Sequence, residues 1–146
     1  MTRSNADLLR SWFEEIWNQG NVDAADDLLA PGAILHETAI GPDGIQRLAD
    51  FKAMARVLRQ TFPDIHFQIE TTLQDGEYAA ARITATGTHS GRGLGIEPTG
   101  RSFRINGMVM IRILDGRTVE SWSSFDMLGL YEQLGLVERP KMGTGV

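Results

Sequence analysis

The spacing of apolar residues changes once along the chain, and this change constrains the fold more than any other feature. Up to about residue 62, apolar side chains recur every three or four positions, as on one face of a helix. From His66 onward they alternate with polar residues, which is typical of strands. Helices in one half and strands in the other predict an α+β domain, with N-terminal helices packed on a strongly bent antiparallel sheet.

Two helices are predicted in the first part of the chain. The first has its apolar residues between Leu8 and Trp17, and Gly20 is placed to end it. Ser4 or Asn5 can cap its start. A second, short helix begins after Asn21, and we expect Pro31-Gly32 to stop it.

A short strand and a longer helix should follow. Residues 33–38 are predicted to form the strand, which carries His36. Asp43 and Gln46 have the spacing of a capping box, so the longer helix is expected to start there and to end at Phe62.

The second half predicts a meander of long strands. Asp75-Gly76 and Asp115-Gly116 are strong hairpin signals between alternating runs. In the first run, Phe67, Ile69 and Leu73 are expected on one face. The predicted strands cover residues 66–74, 77–88, 102–114 and 118 to about 124, with a glycine-rich loop at 89–101.

Composition limits the classes of function. A chain of 146 residues is most naturally one domain, which we place at residues 1–136, followed by a tail at 137–146. The formal net charge of -5 argues against nucleic acid and anionic membranes as partners. No signal peptide or membrane span is predicted, so we expect a cytoplasmic protein.

Neither a metal site nor a nucleotide site is predicted. The chain has no cysteine, which excludes disulfides and zinc-thiolate sites. Its three histidines lie far apart and form no metal-binding spacing. The glycine-rich run at 91–95 lacks the Lys-Ser/Thr of a phosphate-binding loop, and no helix pattern follows it.

Asp126 is the leading candidate for chemistry. It follows the last predicted strand and stands among apolar residues. A carboxyl group buried there could exchange a proton near neutral pH, as a general acid or base does. Asp is also a favoured N-cap, and residue chemistry alone favours the cap.

Three further polar residues are candidates for a pocket. His36 could donate a hydrogen bond or proton if its side chain points inward, or be solvated if it points outward. Arg112 interrupts an apolar strand, so it should pair with an acid or line a polar pocket. His89 ends a strand beside the glycine-rich loop, where a turn role is the commoner one.

Aromatic residues could form the pocket wall. Trp122 lies on the last strand, Trp12 on the first helix and Phe62 at the end of the third. Each could belong to the core, or could line a concave site for a flat, apolar ligand.

Several stretches together resemble the SnoaL-like polyketide cyclases, a branch of the NTF2-like superfamily. They occur in the family's order and cover most of residues 8–136. The resemblance implies a cone-shaped α+β barrel around a deep apolar cavity, and assembly into dimers or higher oligomers through the sheet. The stretches are WNQGNVDAADDLLAPGAILHE, GPDGI, TFPDIHFQIE, TGTHSGRGLGIEPTGR, ILDGRTVESW and FDMLGLYEQLG.

The resemblance also implies a chemistry. Characterised members close the last ring of aromatic polyketides by an intramolecular aldol condensation without a metal or cofactor. Asp126 matches the position of their acid/base Asp, and His36 matches a position that is commonly polar. Where the family often has His-Trp-Asp, this chain has Ser121-Trp122-Ser123. A non-catalytic binding or assembly module and an epoxide-hydrolase-like enzyme are the alternatives.

Overall fold

The computed structural model describes residues 4–37 and 44–143, as helices packed on one face of a six-stranded sheet. The helices are α1 (Asn5–Ser11) with a π-helical continuation (Trp12–Asn18), a 3-10 turn (Val22–Ala24), α2 (Ala25–Leu28), α3 (Leu48–Thr61) and α4 (Met127–Gln133). The strands are β1 (Leu29–Glu37), β2 (Ile45–Gln46), β3 (His66–Asp75), β4 (Tyr78–Thr88), β5 (Ser102–Leu114) and β6 (Arg117–Phe125). The predicted α+β class is therefore confirmed.

The sheet is mixed, which corrects the expectation of a purely antiparallel one. Its order is β2-β1-β6-β5-β4-β3, and β1 pairs with β6 in parallel. Strands β3 to β6 follow one another through hairpins or a loop and pair antiparallel. Since β1 comes from the helical half of the chain, no hairpin fixes its direction relative to β6.

Both predicted hairpins are confirmed. Leu114 pairs with Arg117 across the β5–β6 turn, and both central residues of that turn have positive φ, Asp115 at 51° and Gly116 at 76°. These are the angles of a type I′ turn, whose twist matches that of the strands beside it.

The first helix forms as predicted. The backbone N–H of Asp7 donates to Ser4 Oγ at 3.0 Å, so Ser4 caps the start. Leu9 and Ile16 are fully buried against the sheet. Gly20 has φ +76°, which glycine adopts without the strain of a side chain, and the helical segment ends there.

The predicted second helix starts after Asn21, as expected, but ends before Pro31-Gly32. Only Ala25–Leu28 is α-helical, and β1 already begins at Leu29 and includes Pro31-Gly32. Register with β6 is irregular between Leu29 and Ile34. Such an irregularity tolerates Pro31, which has no N–H to donate to a ladder.

The predicted start of the third helix is also wrong. Asp43 lies outside the described residues, and Gln46 belongs to β2, which pairs antiparallel with β1. Helix α3 starts at Leu48, after Arg47. There the Arg47 backbone N–H donates to Asp50 Oδ2 at 3.0 Å, which satisfies one donor at the helix start.

A bulge in β3 changes which face Leu73 occupies. Phe67 and Ile69 pack against the core as predicted, but the register with β4 shifts between Ile69 and Thr71. One extra residue reverses the side-chain parity of the rest of the strand. Leu73 is consequently 70% exposed, on the face away from the helices.

The core lies between the helices and the inner face of the sheet. Along β5, every second residue from Phe103 to Ile113 is buried, and the others are exposed or half-buried. Helix α3 contributes Phe51 and Ala55, which are both buried. In the part of the chain that the structure describes, no helix is long and apolar enough to cross a bilayer.

Candidate functional site

An apolar cavity of about 400 Å³ lies between the inner face of the sheet, α3, α4 and the glycine-rich loop. Leu94 of that loop and Val57 of α3 are 38% and 39% exposed, so both segments present wall residues to solvent. The predicted cavity is therefore present. Its walls are mostly apolar side chains, including Phe62, Ile65, Phe67, Ile105, Phe125 and Leu130.

Few polar side chains reach this cavity. Among the described residues, Glu37 supplies its one carboxyl group and Tyr131 its one phenol. A mostly apolar wall with a few polar groups is typical of small-molecule sites, where those groups fix the orientation of the ligand.

A second, much smaller chamber of about 40 Å³ adjoins the cavity. The two share Trp17, Glu37, Phe67 and Phe125 as wall residues, so the chamber continues the cavity inward. The chamber adds polar residues from three strands and aromatic rings from two helices. They are His36, Gln46, Ser121 and Ser123, with Trp12, Phe13 and Phe51.

Gln46 carries an unsatisfied acceptor in this region. Its side-chain amide donates weakly to Met54 Sδ at 3.4 Å. Its Oε1 is buried and has no hydrogen-bond partner among the described residues. A buried carbonyl oxygen of this kind costs free energy until a donor meets it.

Asp126 forms the N-cap of α4, as residue chemistry favoured. The backbone N–H of Gly129 donates to Asp126 Oδ1 at 2.9 Å, and Arg139 lies 3.9 Å from the same oxygen. The Asp126 side chain is 49% exposed. Its neighbours Phe125 and Met127 line the cavity, so Asp126 lies beside the cavity and in contact with solvent. This exposure corrects the expectation of a desolvated carboxyl.

His36 lies on the opposite face of the sheet from the cavity. Its ring stacks on Trp122, with centroids 5.3 Å apart and planes inclined by 10°. Its Nε2 is 2.7 Å from Glu120 Oε2. Both partners belong to the outward-facing set of β6, so the His36 ring projects to the outer face, although the residue also borders the small chamber. Trp122 does not line the cavity. The cause is parity, because Leu35 and Glu37 point inward and His36 between them points outward.

Arg112 also lies on the outer face, paired with an acid as predicted. Its Nε donates to Glu77 Oε2 at 3.0 Å. This hydrogen bond raises the pKa of the Arg112 guanidinium above its ordinary value. Arg112 therefore does not line the cavity.

His89 is a core residue beneath the glycine-rich loop. It is fully buried, its Nδ1 contacts Thr99 Oγ1 at 3.1 Å, and its ring centroid is 5.6 Å from that of Phe62. Among the described residues its Nε2 has no hydrogen-bond partner. His89 begins the loop and its Nδ1 contacts Thr99, near the other end of the loop, so the side chain holds the two ends of the loop together. This is the turn role that its position in the sequence suggested.

The other two aromatic candidates do reach the site. Phe62 lines the cavity and is 1% exposed, while Trp12 lines the small chamber, its ring centroid 4.5 Å from that of Phe51. Within residues 4–37 and 44–143, no group of His, Asp and Glu side chains is arranged to hold a metal ion.

The sequence reading missed Glu37, Gln46 and Tyr131. A strand can place only one of two adjacent side chains in a pocket, so His36 and Glu37 cannot both face it. The inward parity of Ala33 and Leu35, both apolar, was the available signal for Glu37. No local signal identified Gln46, because it was expected inside a helix.

The outer face of the sheet carries an exposed apolar patch. We define this outer-face patch as Leu73, Ala80, Met108, Met110 and Trp122, which line a groove of about 670 Å³. Leu73 and Met108 are 70% and 64% exposed. Clusters of exposed apolar side chains of this kind commonly mark interaction surfaces.

A family model and a characterised relative both point to polyketide cyclases. The sequence model of the family described as SnoaL-like polyketide cyclase matches residues 7–134. The chain is 30% identical over 136 residues to the aklanonic acid methyl ester cyclase DnrD of Streptomyces peucetius, covering 88% of this chain and 89% of that protein.

Solved structures show the same fold. The crystal structure of IdmH from Streptomyces antibioticus superposes with a TM-score of 0.80 at 29% identity, covering 91% of this chain and 99% of that one. A Catenulispora acidiphila protein with a ketosteroid isomerase-like fold gives a TM-score of 0.75 at 14% identity, covering 94% of this chain and 100% of that one. The predicted NTF2-like fold is confirmed.

Proposed function

We propose, on the premise that this chain belongs to the SnoaL-like polyketide cyclase family, that it catalyses the cofactor-independent cyclisation of a polyketide-like carbonyl compound. The reaction proposed is an intramolecular aldol condensation under acid/base catalysis. The observation that carries the proposal is the apolar cavity of about 400 Å³, with a carboxyl group at its wall.

The cavity supports a flat, mostly apolar ligand. Phe62, Phe67 and Phe125 supply aromatic faces to its wall. A name such as aklanonic acid methyl ester cyclase, borne by the relative from Streptomyces peucetius, supports an ester-bearing substrate of the same chemical class.

The reaction needs three contributions from the protein. A base removes a proton from a carbon that lies between two carbonyl groups, and this carbon is already acidic enough for a carboxylate to deprotonate. The cavity wall holds the chain folded, so that the resulting enolate carbon meets the receiving carbonyl carbon. Hydrogen-bond donors then stabilise the oxygen on which negative charge develops, and Tyr131 supplies one donor at the wall.

A non-catalytic binding module is the second candidate. It is favoured by the state of Asp126, the position that the family resemblance assigns to the acid/base, because this carboxylate is engaged as a helix cap and half exposed. In that case the cavity would bind the same class of ligand without turning it over.

Proton NMR in D2O tests the two candidates directly. The panel contains an aromatic 1,3-dicarbonyl compound, a polyketide methyl ester and a Δ5-ketosteroid, each with and without the protein. Catalysis is expected to remove an α-proton signal or to close a ring faster than in buffer alone. Line broadening of a ligand without exchange would support the binding module, and no effect on any ligand would contradict both.

We also propose that the chain self-associates through the outer-face patch, in keeping with the resemblance to a family that assembles through the sheet. Met108 and Met110 stand on the same face of β5 as Arg112, and both are exposed. Covering them would remove apolar surface from water.

A further inference from the structure

One carboxyl group borders both the cavity and the small chamber. Glu37 is the last residue of β1, and it lines each of the two spaces. Ala33 and Leu35 precede it on the same face of the strand and are buried in the core. Strand parity therefore directs Glu37 toward the interior, where Trp17 and Phe67 are its neighbours on the wall.

Hydrogen-bonding groups surround Glu37 on both sides of β1. Ser123 is its register partner on β6. Gln46 pairs with Leu35 across β1 and β2, which makes it a diagonal neighbour of Glu37, within reach of long side chains. Glu37, Ser123, Gln46 and Ser121 all line the small chamber, so they form one polar end to an otherwise apolar site.

The Gln46 acceptor indicates what this end receives. Gln46 is only 6% exposed, and its Oε1 is buried with no partner in the described part of the chain. A donor is needed to offset its desolvation. In the keto form of a 1,3-dicarbonyl compound, a carboxylate can take the proton of the carbon between the two carbonyl groups. The enol, in which that proton stands on oxygen, has an O–H group that can meet such an acceptor.

We propose that Glu37 is the acid/base residue of this protein, and that the polar end formed with Gln46, Ser121 and Ser123 binds the 1,3-dicarbonyl end of the substrate. This inference rests on the proposed function and assigns its chemistry to a residue other than Asp126. Asp126 serves α4 as a cap and faces solvent, whereas Glu37 is on the wall of the site.

The step balances without a further reactant. The Glu37 carboxylate takes the proton from the carbon between the two carbonyl groups, and the C–H electron pair becomes the enolate. That carbon forms a bond to the receiving carbonyl carbon, whose oxygen becomes an alkoxide. Glu37 then returns the proton to this oxygen, so the product is an isomer of the substrate.

The experiment compares Glu37→Gln with Asp126→Asn, using Glu97→Gln as the matched control. Glu97 is an exposed loop residue paired with Arg92 and stands outside the site. The probe is ethyl benzoylacetate in D2O. The α-proton exchange rate above the buffer blank and the ligand line broadening are measured for each protein.

We expect Glu37→Gln to lower the exchange rate at least about 100-fold while line broadening persists, since general acid–base catalysis contributes on this scale. Asp126→Asn and Glu97→Gln should keep the rate within about threefold. Loss of exchange in Asp126→Asn with exchange kept in Glu37→Gln would overturn this inference and leave the proposed function standing. No exchange or ring closure by the unsubstituted protein with any ligand would overturn both.

A second variant covers the case in which Glu37→Gln does not fold. Glu37→Asp keeps the carboxylate but withdraws it by one methylene, so kcat for exchange should fall at least about tenfold with little change in KM. Full activity in a folded Glu37→Asp protein would show that the position of this carboxylate does not matter and would overturn the inference.

Discussion

The backbone N–H of Gly129 donates a hydrogen bond to the carboxylate of Asp126 at 2.9 Å, and this bond ties the last strand to the first turn of α4. A Cβ atom built on Gly129 would lie 2.2 Å from Asp126 Oδ2, so the carboxylate packs directly on that residue. The carboxyl group that most resembles a catalytic one in sequence is thus part of a helix cap.

This cap gives a stability prediction that is separate from catalysis. Asp126→Ala removes the acceptor and should lower the free energy of unfolding by about 1 kcal/mol, whereas Asp126→Asn should be nearly neutral because Asn caps as well. Urea unfolding followed by circular dichroism measures both. Equal destabilisation by Ala and Asn would show that the charge, rather than the hydrogen bond, holds the turn.

Gly91 fixes the glycine-rich loop against the end of α3. Its N–H donates to the Thr61 carbonyl at 3.0 Å, and a Cβ atom there would stand 1.8 Å from the Gln60 carbonyl oxygen. Gly91→Ala should therefore destabilise the fold by about 1–3 kcal/mol. Because Leu94 of the same loop lines the cavity, ligand binding should weaken as well.

Gly32→Ala is the control for this prediction. No heavy atom lies within 4 Å of a Cβ built on Gly32, so the change should stay within about 0.5 kcal/mol. Thermal unfolding of both variants and ligand line broadening provide the comparison. A Gly91→Ala protein as stable as Gly32→Ala would mean that the loop does not pack on α3 in solution.

The outer-face patch gives a prediction about assembly. If copies of the chain meet there, Met108→Lys should shift the protein toward the monomer in sedimentation velocity, because it places a charge at an apolar contact. Leu136→Lys is the matched control, since Leu136 is 42% exposed and lies after α4. An unchanged sedimentation coefficient in an oligomeric Met108→Lys protein would exclude this face as the interface.

A charged cluster at the surface gives a prediction about pH. Lys52 Nζ lies 2.9 Å from Asp23 Oδ1 and 3.0 Å from Asp26 Oδ2. The hydrogen bond from Lys52 lowers the pKa of Asp23 below its ordinary value of 3.8. A lowered folded-state pKa contributes stability that is present above 3.8 and is lost as pH falls through the folded value.

Lys52→Gln should therefore lower the urea midpoint at neutral pH, and its difference from the unsubstituted protein should shrink as the solution is acidified below 3.8. The effect should be small and should decrease with added salt, since the acids are exposed. Lys141→Gln, in the exposed C-terminal segment, serves as the control. A difference that stays constant down to the lowest pH would contradict the assignment to Asp23.

Much of the strand half was determined by the sequence itself. The extent of β5, both hairpins and the burial of alternate residues on β5 follow from alternation and from the two Asp-Gly sequences that mark the hairpins. The cap role of Asp126 is likewise local, because it depends on a residue three positions away. Such features are encoded within a few residues, so a reading of the sequence can find them.

Only the tertiary structure decided which face of the sheet each candidate occupies. Alternation along β1 separates Glu37 from His36, but the core had to show which of the two faces inward, and a bulge in β3 turns Leu73 outward. The parallel pairing of β1 with β6 brings Glu37 opposite Ser123, which is 86 positions away, and no turn fixes that register. The physical reason is that non-local strand pairing is set by packing of the whole core, whereas the sequence near each strand specifies only its alternation.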